Sequence, residues 1–386
     1  MVLKNQDIYL GILSEVDKIG RKLGLDYYLR DITKPMTISL YFNIFQDIVG
    51  ILFTMISMYT SRDNPLEMIF AFSTIGVIFT ISNKTLLAIT MNYCVHQIIA
   101  ETKNQFARLN VDAEKAEWQK NGLEYFQKVY KYLFWCYLGS PVFMFICTIS
   151  ASIYNNEKYL VLGYAIPFVD PQRSPGYEIN FLFQASQCYV AVTTVIMFDV
   201  FYLGHMLIEC HHFMAMIEYF HDLDRLANES GEVRDLEAAD RILISVINEF
   251  QSHIRIMRLL DIFTSFHNLC AIAALMIALI LTLFVLIKIL WIPGIVLCVT
   301  MIFNLLFHTA IGTVYITFAE RFEKAVYNCQ WYNFPARIQR MFIILLALAQ
   351  RPIQPSAGGF AAMDLRTFLQ CMKTTYTVLM MLLNRS

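Results

Sequence analysis

His205, Glu209, His211 and His212 fall within eight residues of one another. Three imidazoles and a carboxylate at that spacing on a cytoplasmic helix could hold a metal. Histidines on a helix surface are far commoner than ligands, so they are read as surface residues and no metal and no cofactor is assigned. Enzymatic chemistry finds no foothold either, because no nucleophile elbow, zinc-protease or phosphate-loop pattern occurs. What remains is a set of ionisable residues inside apolar runs: Asp47, Lys84, Asp199 and Lys373. A charge in hydrocarbon costs about 3 kcal/mol even on lenient scales, so such residues are functional candidates by default. Asp47, Lys84 and Asp199 are expected near helix ends or on wet faces, where structural roles also fit. Lys373 stands ten residues before Leu383, about 15 Å along a helix and so near mid-membrane. Arg366, Gln370, Lys373, Thr377 and Asn384 recur along one helical face, a polar stripe that needs water or protein partners. One stripe cannot enclose a channel, so a pore built on it requires an oligomer.

The elements that must position these residues follow from composition. Of 386 residues 57% are hydrophobic and 16% charged, against roughly 45–50% and 25% in soluble domains. Mean hydropathy is +0.49. A net charge of −1 without a basic tract excludes a nucleic-acid partner. The lipid bilayer is therefore the expected solvent. Nine cysteines contain no C-x-x-C pair and fall mostly in apolar runs, so neither a disulfide framework nor a zinc site is expected. The first 37 residues carry six Lys/Arg and five Asp/Glu, which argues against a cleaved secretory leader.

A spanning helix needs about 20 apolar residues. Runs at 35–61, 66–90, 132–156, 179–198, 262–287, 292–319 and 360–383 qualify, which makes seven; 341–350 is too short and suits a buried soluble helix. Pro35, Pro65, Pro175-Gly176 and Pro293 punctuate the starts, and Pro141 is expected to kink the third span. Lys and Arg number twenty-one on one side of these spans and five on the other. The expected fold is an all-α polytopic membrane protein with seven transmembrane helices, a cytoplasmic N-terminus and an extracellular C-terminus. That is the reverse of a G-protein-coupled receptor. Phe213, Ile217 and Phe220, then Leu236, Leu243, Phe250 and Met257 flanked by Ile247 and Ile254, form apolar stripes on either side of a turn at 228–231. They predict a helical domain under the membrane. The organisation is a cytoplasmic segment 1–37, transmembrane helices one to four in 38–204 with an extracellular loop 155–177, a cytoplasmic hairpin 205–258, helices five and six in 259–318, cytoplasmic helices 319–357, and a last helix in 358–386.

The outer halves of the spans suggest where a small apolar ligand would sit. Phe70, Phe72, Ser73 and Gly76 occupy the second, Phe143, Ile146 and Ser150 the third, and Phe183, Gln184, Gln187 and Tyr189 the fourth. An apolar pocket with a few hydroxyls and amides suits a small volatile, an aromatic one included. Taken singly, residues at helical spacing are more often packing residues.

The C-terminal stretch adds a resemblance. Cys329-Gln330-Trp331-Tyr332, Arg351-Pro352, Gly358-Gly359-Phe360, Thr367-Phe368 and Lys373-Thr374-Thr375-Tyr376-Thr377 resemble, in order, the signature of insect odorant receptors. Pro167-Phe168, Pro171 and Pro175-Gly176-Tyr177-Glu178 are similar to the same family. The resemblance covers 320–386 closely and 160–190 less so.

It implies an odorant-gated, non-selective cation channel: a heterotetramer of a ligand-selective subunit with an obligatory odorant receptor coreceptor. Such a channel sits in the plasma membrane of olfactory sensory neuron dendrites. Cytoplasmic helices would form an anchor, containing Cys329, Trp331, Tyr332, Arg351 and Pro352, and the seventh helices a central pore. Alignment on Tyr376 places the implied gate on Leu379 and Leu383, with Leu382 beside them. Leucine at 382, where the coreceptor has glutamine, implies the ligand-selective subunit. Leu379 and Leu383 project away from Lys373, which is kept as a second pore candidate. A gustatory-type, self-sufficient channel of the same superfamily is the nearest rival, disfavoured because Leu382-Leu383 replaces its Gln-Phe ending. A secondary transporter is the next, disfavoured by the lack of an internal repeat.

Overall fold

The computed structural model describes residues 5–21, 38–110, 112–226, 235–288 and 291–384. Pro35 and the turn expected at 228–231 lie outside these residues. Ten α-helices are described: α1 (Asn5–Arg21), α2 (Ile38–Thr60), α3 (Pro65–Thr90), α4 (Asn92–Leu109), α5 (Ala113–Asn155), α6 (Gly176–Leu226), α7 (Leu236–Lys288), α8 (Ile292–Asn328), α9 (Ala336–Ala349) and α10 (Leu365–Leu383). Six of them (α2, α3, α5, α6, α7 and α8) are long and apolar enough to cross a membrane. The expected seventh, α10, has 19 residues but carries polar side chains along one face.

Local chemistry sets the ends. Asn64 caps α3 ahead of Pro65, and Asp112 accepts from the Glu114 and Lys115 amides to start α5. Burial pushes the Asp112 carboxyl up, but the Lys115 ammonium beside it pulls harder and holds it below the usual carboxylate range. α5 runs unbroken through Pro141, whose missing N–H removes the helical donor to the Tyr137 carbonyl. Between α9 and α10 the chain makes a small antiparallel hairpin, Ser356–Ala357 against Ala361–Ala362. Gly358 and Gly359 sit at φ 62° and 75°, as a primed hairpin turn requires. Asp364 then caps α10 by accepting from the Thr367 amide at 2.9 Å.

α6 is the spine. Its most apolar stretch is 78% buried, against 22% for that of α5. The other spanning helices surround α6 and turn apolar side chains such as Phe42, Trp135, Ile146 and Phe266 outward, which in a bilayer is the lipid face. A larger core fills the end remote from the loop at 156–175 and a smaller one lies near that loop.

In the larger core the stripe from 213 to 257 is buried as its periodicity predicts, apart from the exposed Leu236 and the half-buried Ile247 and Ile254. Phe213 and Phe250 stack on Phe322 with ring centroids 5.3 and 5.1 Å apart. The segment 91–130, expected only as a connection between spans, is helical almost throughout. The 341–350 run falls on α9, which packs on α8 and α7.

Candidate functional site

The histidine cluster proves to be a buried polar seam rather than a surface feature. His205 Nδ1 lies 2.7 Å from the Phe201 carbonyl, so that nitrogen carries the proton, and Nε2 accepts from the Tyr9 hydroxyl at 2.8 Å. Glu209 meets His253 Nδ1 at 2.5 Å, and the other ring nitrogen of His253 contacts the Tyr315 hydroxyl. His212 lies 3.6 Å from Glu249, which Arg108 grips with two hydrogen bonds. His211 turns back to the Leu207 carbonyl. These side chains pair with one another across α1, α4, α6, α7 and α8, and among the described residues no group of three His, Cys, Asp or Glu could hold a metal.

Near the middle of the bundle lies an apolar cavity of about 160 Å³. Its wall takes Met144 from α5, Leu275 from α7, Leu297 and Met301 from α8, and Ile78 and Ile81 from α3. α6 contributes Gln187, Cys188 and Ala191, and Leu162 and Tyr164 of the loop close one side. That loop is held by amide side chains. Gln184 Oε1 accepts from the Val161 and Leu162 amides at 3.0 Å each, while its Nε2 donates to the Leu162 and Tyr164 carbonyls. Asn180 Oδ1 accepts from the Ile166 amide at 2.6 Å.

The polar groups on the wall are largely committed. Thr74 and Thr80 donate to their own helix, and Ser140 donates to Thr300, whose own proton goes to the Val296 carbonyl. Gln187 donates to the Gln46 carbonyl and side chain.

One end of the cavity is a buried ion pair. Lys84 Nζ lies 2.5 Å from Asp199 Oδ1, and both side chains are excluded from solvent. Tyr137 and Asn304 donate to Asp199 Oδ2 at 2.8 and 2.9 Å. His308 Nε2 lies 3.1 Å from Oδ1. The carboxylate is thus saturated, as a buried charge must be. Sequence reading singled out Lys84 and Asp199 separately; it had no means of joining residues 115 positions apart.

Of the ligand candidates, Gln187 lies on this wall and the others do not. Phe70 packs edge-on to Trp291, and Phe183 packs on Phe53. Ser73 donates to the Phe70 carbonyl, Phe72 is half-buried, and Gln184 is the loop clamp. Gly76 lets α3 press on α7; a Cβ there would stand 2.6 Å from the Ala274 carbonyl oxygen. Phe143, Ile146, Ser150 and Tyr189 are exposed on the outer faces of α5 and α6. The wall residues that periodicity did not single out, Met144, Met301 and Asn304 among them, carry no spacing signal, because a membrane helix is apolar on its lipid side as well.

α10 has two faces. Cys371, Thr375 and Leu379 are buried and face α7 and α8. Arg366, Gln370, Lys373, Tyr376 and Thr377 are exposed, as are Met380, Met381 and Leu382, while Leu383 is half-buried. Lys373 therefore lies on the side opposite Leu379. The start of α10 is pinned to α8 where the Leu365 amide donates to Thr313 Oγ1 at 2.9 Å. The hairpin before it is pinned to α7, through Asp261 accepting from Ser356 and the Gly358 amide donating to the Ser265 carbonyl. Among the other motif residues, Cys329 is buried, Trp331 half-buried and Tyr332 exposed. Arg351 and Pro352 border a second cavity of about 120 Å³.

Long apolar helices around a buried spine, with an apolar cavity among them, define an all-α polytopic membrane protein. Over residues 64–376 the chain matches the family model described as 7tm Odorant receptor, and it belongs to that family. Among curated relatives, odorant receptor 2a of Drosophila melanogaster is 37% identical over 67 residues, 17% of either chain. Putative odorant receptor 83c of the same fly is 21% identical over 268 residues, 65% of this chain and 66% of that one. Each alignment thus spans less than two thirds of the relative's length. Among solved structures, the insect olfactory receptor OR5 from Machilis hrabei in complex with eugenol superposes with a TM-score of 0.79 at 10% identity, covering 97% of this chain and 98% of that one. A second structure of that receptor gives 0.78 at 11% identity, covering 98% and 99%. These likenesses establish the fold.

Proposed function

We propose that this chain is the ligand-selective subunit of a heteromeric, odorant-gated, non-selective cation channel. The observation that carries the reading is the apolar cavity inside the helical bundle of an odorant receptor family member. Its volume of about 160 Å³ suits a single-ring or similarly small volatile, since an apolar cavity of roughly 150 Å³ takes up benzene. The fold relative from Machilis hrabei was solved with eugenol, in keeping with a small odorant here.

The orientation follows from the Lys/Arg asymmetry: cytoplasmic N-terminus, extracellular C-terminus, with the 205–258 and 319–357 segments as the cytoplasmic anchor. The exposed polar face of α10 needs neighbours, and one such helix encloses nothing. We therefore assign it to a pore shared with coreceptor subunits, in a tetramer at the plasma membrane of olfactory sensory neurons. Leucine at 382 supports the ligand-selective role.

Gating is a population shift. Leu275 and Met301 line the cavity on α7 and α8, the two helices to which the hairpin and α10 are pinned. A guest that favours the open packing of these helices tenfold supplies about 1.4 kcal/mol per site toward moving α10. Leu382 and Tyr376 on the exposed face, with Leu383 at its edge, form the constriction, and Leu379, buried against α7 and α8, couples it to those helices; opening wets it. Lys373, on the same exposed face, repels cations by about 4 kcal/mol at 4 Å for an effective dielectric of 20, which leaves the coreceptor helices to dominate conduction.

Two substitutions test the site and the gate. Filling the cavity with Met301→Trp is expected to abolish responses to volatiles while the protein still reaches the cell surface. Leu383→Ser is expected to raise basal current when the chain is expressed with a coreceptor. Unchanged ligand responses in the first variant, or unchanged basal current together with unchanged gating in the second, would refute the corresponding assignment.

A further inference from the structure

Asp47 of α2 stands on the cavity wall and is 6% exposed. It has no cation beside it. The cation on the same wall, Lys84, is taken by Asp199 at 2.5 Å. The hydroxyl that reaches Asp47 belongs to Ser82, and Ser82 Oγ itself lies 3.0 Å from the Ile78 carbonyl, to which it gives its single proton. Among the described residues Asp47 enters no ion pair. A carboxylate this deep is costly unless its oxygens receive hydrogen bonds. Thr74, Thr80, Ser140, Gln187 and Asn304 on this wall have found such partners within the protein, whereas the buried Tyr164 hydroxyl has none and stands as a second polar group open to a guest.

We infer that Asp47 is the polar anchor of the cavity and that the preferred ligand is a small, largely apolar molecule carrying one O–H or N–H donor directed at its carboxylate. This rests on the cavity being the ligand site. The geometry divides the guest: its hydrocarbon part lies against Met144, Leu297 and Met301, and its donor lies toward α2. Alcohols and phenols supply a neutral donor, amines a charged one. A matched ether or hydrocarbon supplies none and would leave the carboxylate unsatisfied. Discrimination of this kind is strong because it is the protein's buried group that pays for a wrong guest.

The test is a current recording from the full chain with its coreceptor, using 2-phenylethanol, its methyl ether and 2-phenylethylamine as probes. The wild type is expected to respond to the alcohol or the amine at about tenfold lower concentration than to the ether, the size of one hydrogen bond to a charged group. Asp47→Leu, which replaces a buried carboxylate by an apolar group of similar volume and so leaves the fold intact, is expected to erase that gap by weakening the alcohol and amine and sparing the ether. Asp47→Asn keeps an acceptor and is expected to retain the alcohol response while losing any preference for the amine over the alcohol. An amine preferred over the alcohol in the wild type identifies the donor as cationic; the reverse order identifies it as a hydroxyl. Equal potency of alcohol and ether, a gap that survives Asp47→Leu, or silence toward all three probes overturns the inference. Met301→Trp and Ala191→Phe separate its failure from failure of the site. If they abolish every response while the Asp47 variants change nothing, only the anchor is wrong. If they change nothing, the cavity is not the ligand site and both readings fall.

Discussion

Lys84→Met is expected to destabilise the protein by about 3–5 kcal/mol, the cost of leaving a buried charge without its partner. Asp199 would keep the hydrogen bonds from Tyr137 and Asn304, with His308 beside it, but would lose the lysine that faces it. The double replacement Lys84→Met with Asp199→Leu removes both charges and is expected to recover most of the loss, because a well-packed apolar pair often matches a buried ion pair in stability. Thermal unfolding of detergent-solubilised protein, followed by size-exclusion fluorescence, distinguishes the cases. A double variant as unstable as the single one would show that the carboxylate, rather than its pairing, carries the stability of this region. The pair lies at the end of the cavity, so the single variant is also expected to lose ligand responses in the fraction that still reaches the surface.

Gly312→Ala is the second large effect. A Cβ at this position would stand 1.7 Å from the Met363 carbonyl oxygen, and the clashing group is backbone, which cannot rotate away. α8 and the segment leading into α10 would have to part. Overpacking of this kind costs about 1–3 kcal/mol. Because Met363 directly precedes the Asp364 cap of α10, the strain falls on the helix assigned to the gate. Each 1.4 kcal/mol that differs between closed and open packings changes their ratio about tenfold. The expected result is altered basal current or a tenfold change in half-activating concentration. Gly139→Ala is the control: it lies within α5, a Cβ there meets nothing within 4 Å, and a slight gain in helix stability is expected instead. Equal effects from both glycines would mean that the α8–α10 contact does not bear on gating.

The division between what could and could not be read from residues follows from the solvent. Six spanning helices and the stripe from Phe213 to Met257 were legible because apolar length and a polar opposite face both leave marks in sequence. α9 was legible for the same reason, as a short apolar run between charged ends. The histidine cluster was misjudged as a surface feature because its partners, Tyr9, His253 and Glu249, come from helices far away in the chain. The pocket candidates scattered for a related reason. In water, an apolar stripe says which side faces inward. In a bilayer, Phe143 and Ile146 on the lipid side are chemically indistinguishable from Met144 one residue away on the cavity wall. Asp47 escaped notice as an anchor because it was given to a helix end or a wet face, whereas it lies in the middle of α2, buried and without a cation.

Whole-cell current from cells expressing this chain with and without an insect coreceptor, under a panel of single-ring alcohols, esters and ketones and with G-protein signalling blocked, tests the central claim most directly. A fast inward cation current that requires both the coreceptor and an intact cavity is the predicted result. Current from the chain alone would make it a self-sufficient channel. Surface expression with the coreceptor but no current to any volatile would contradict the account.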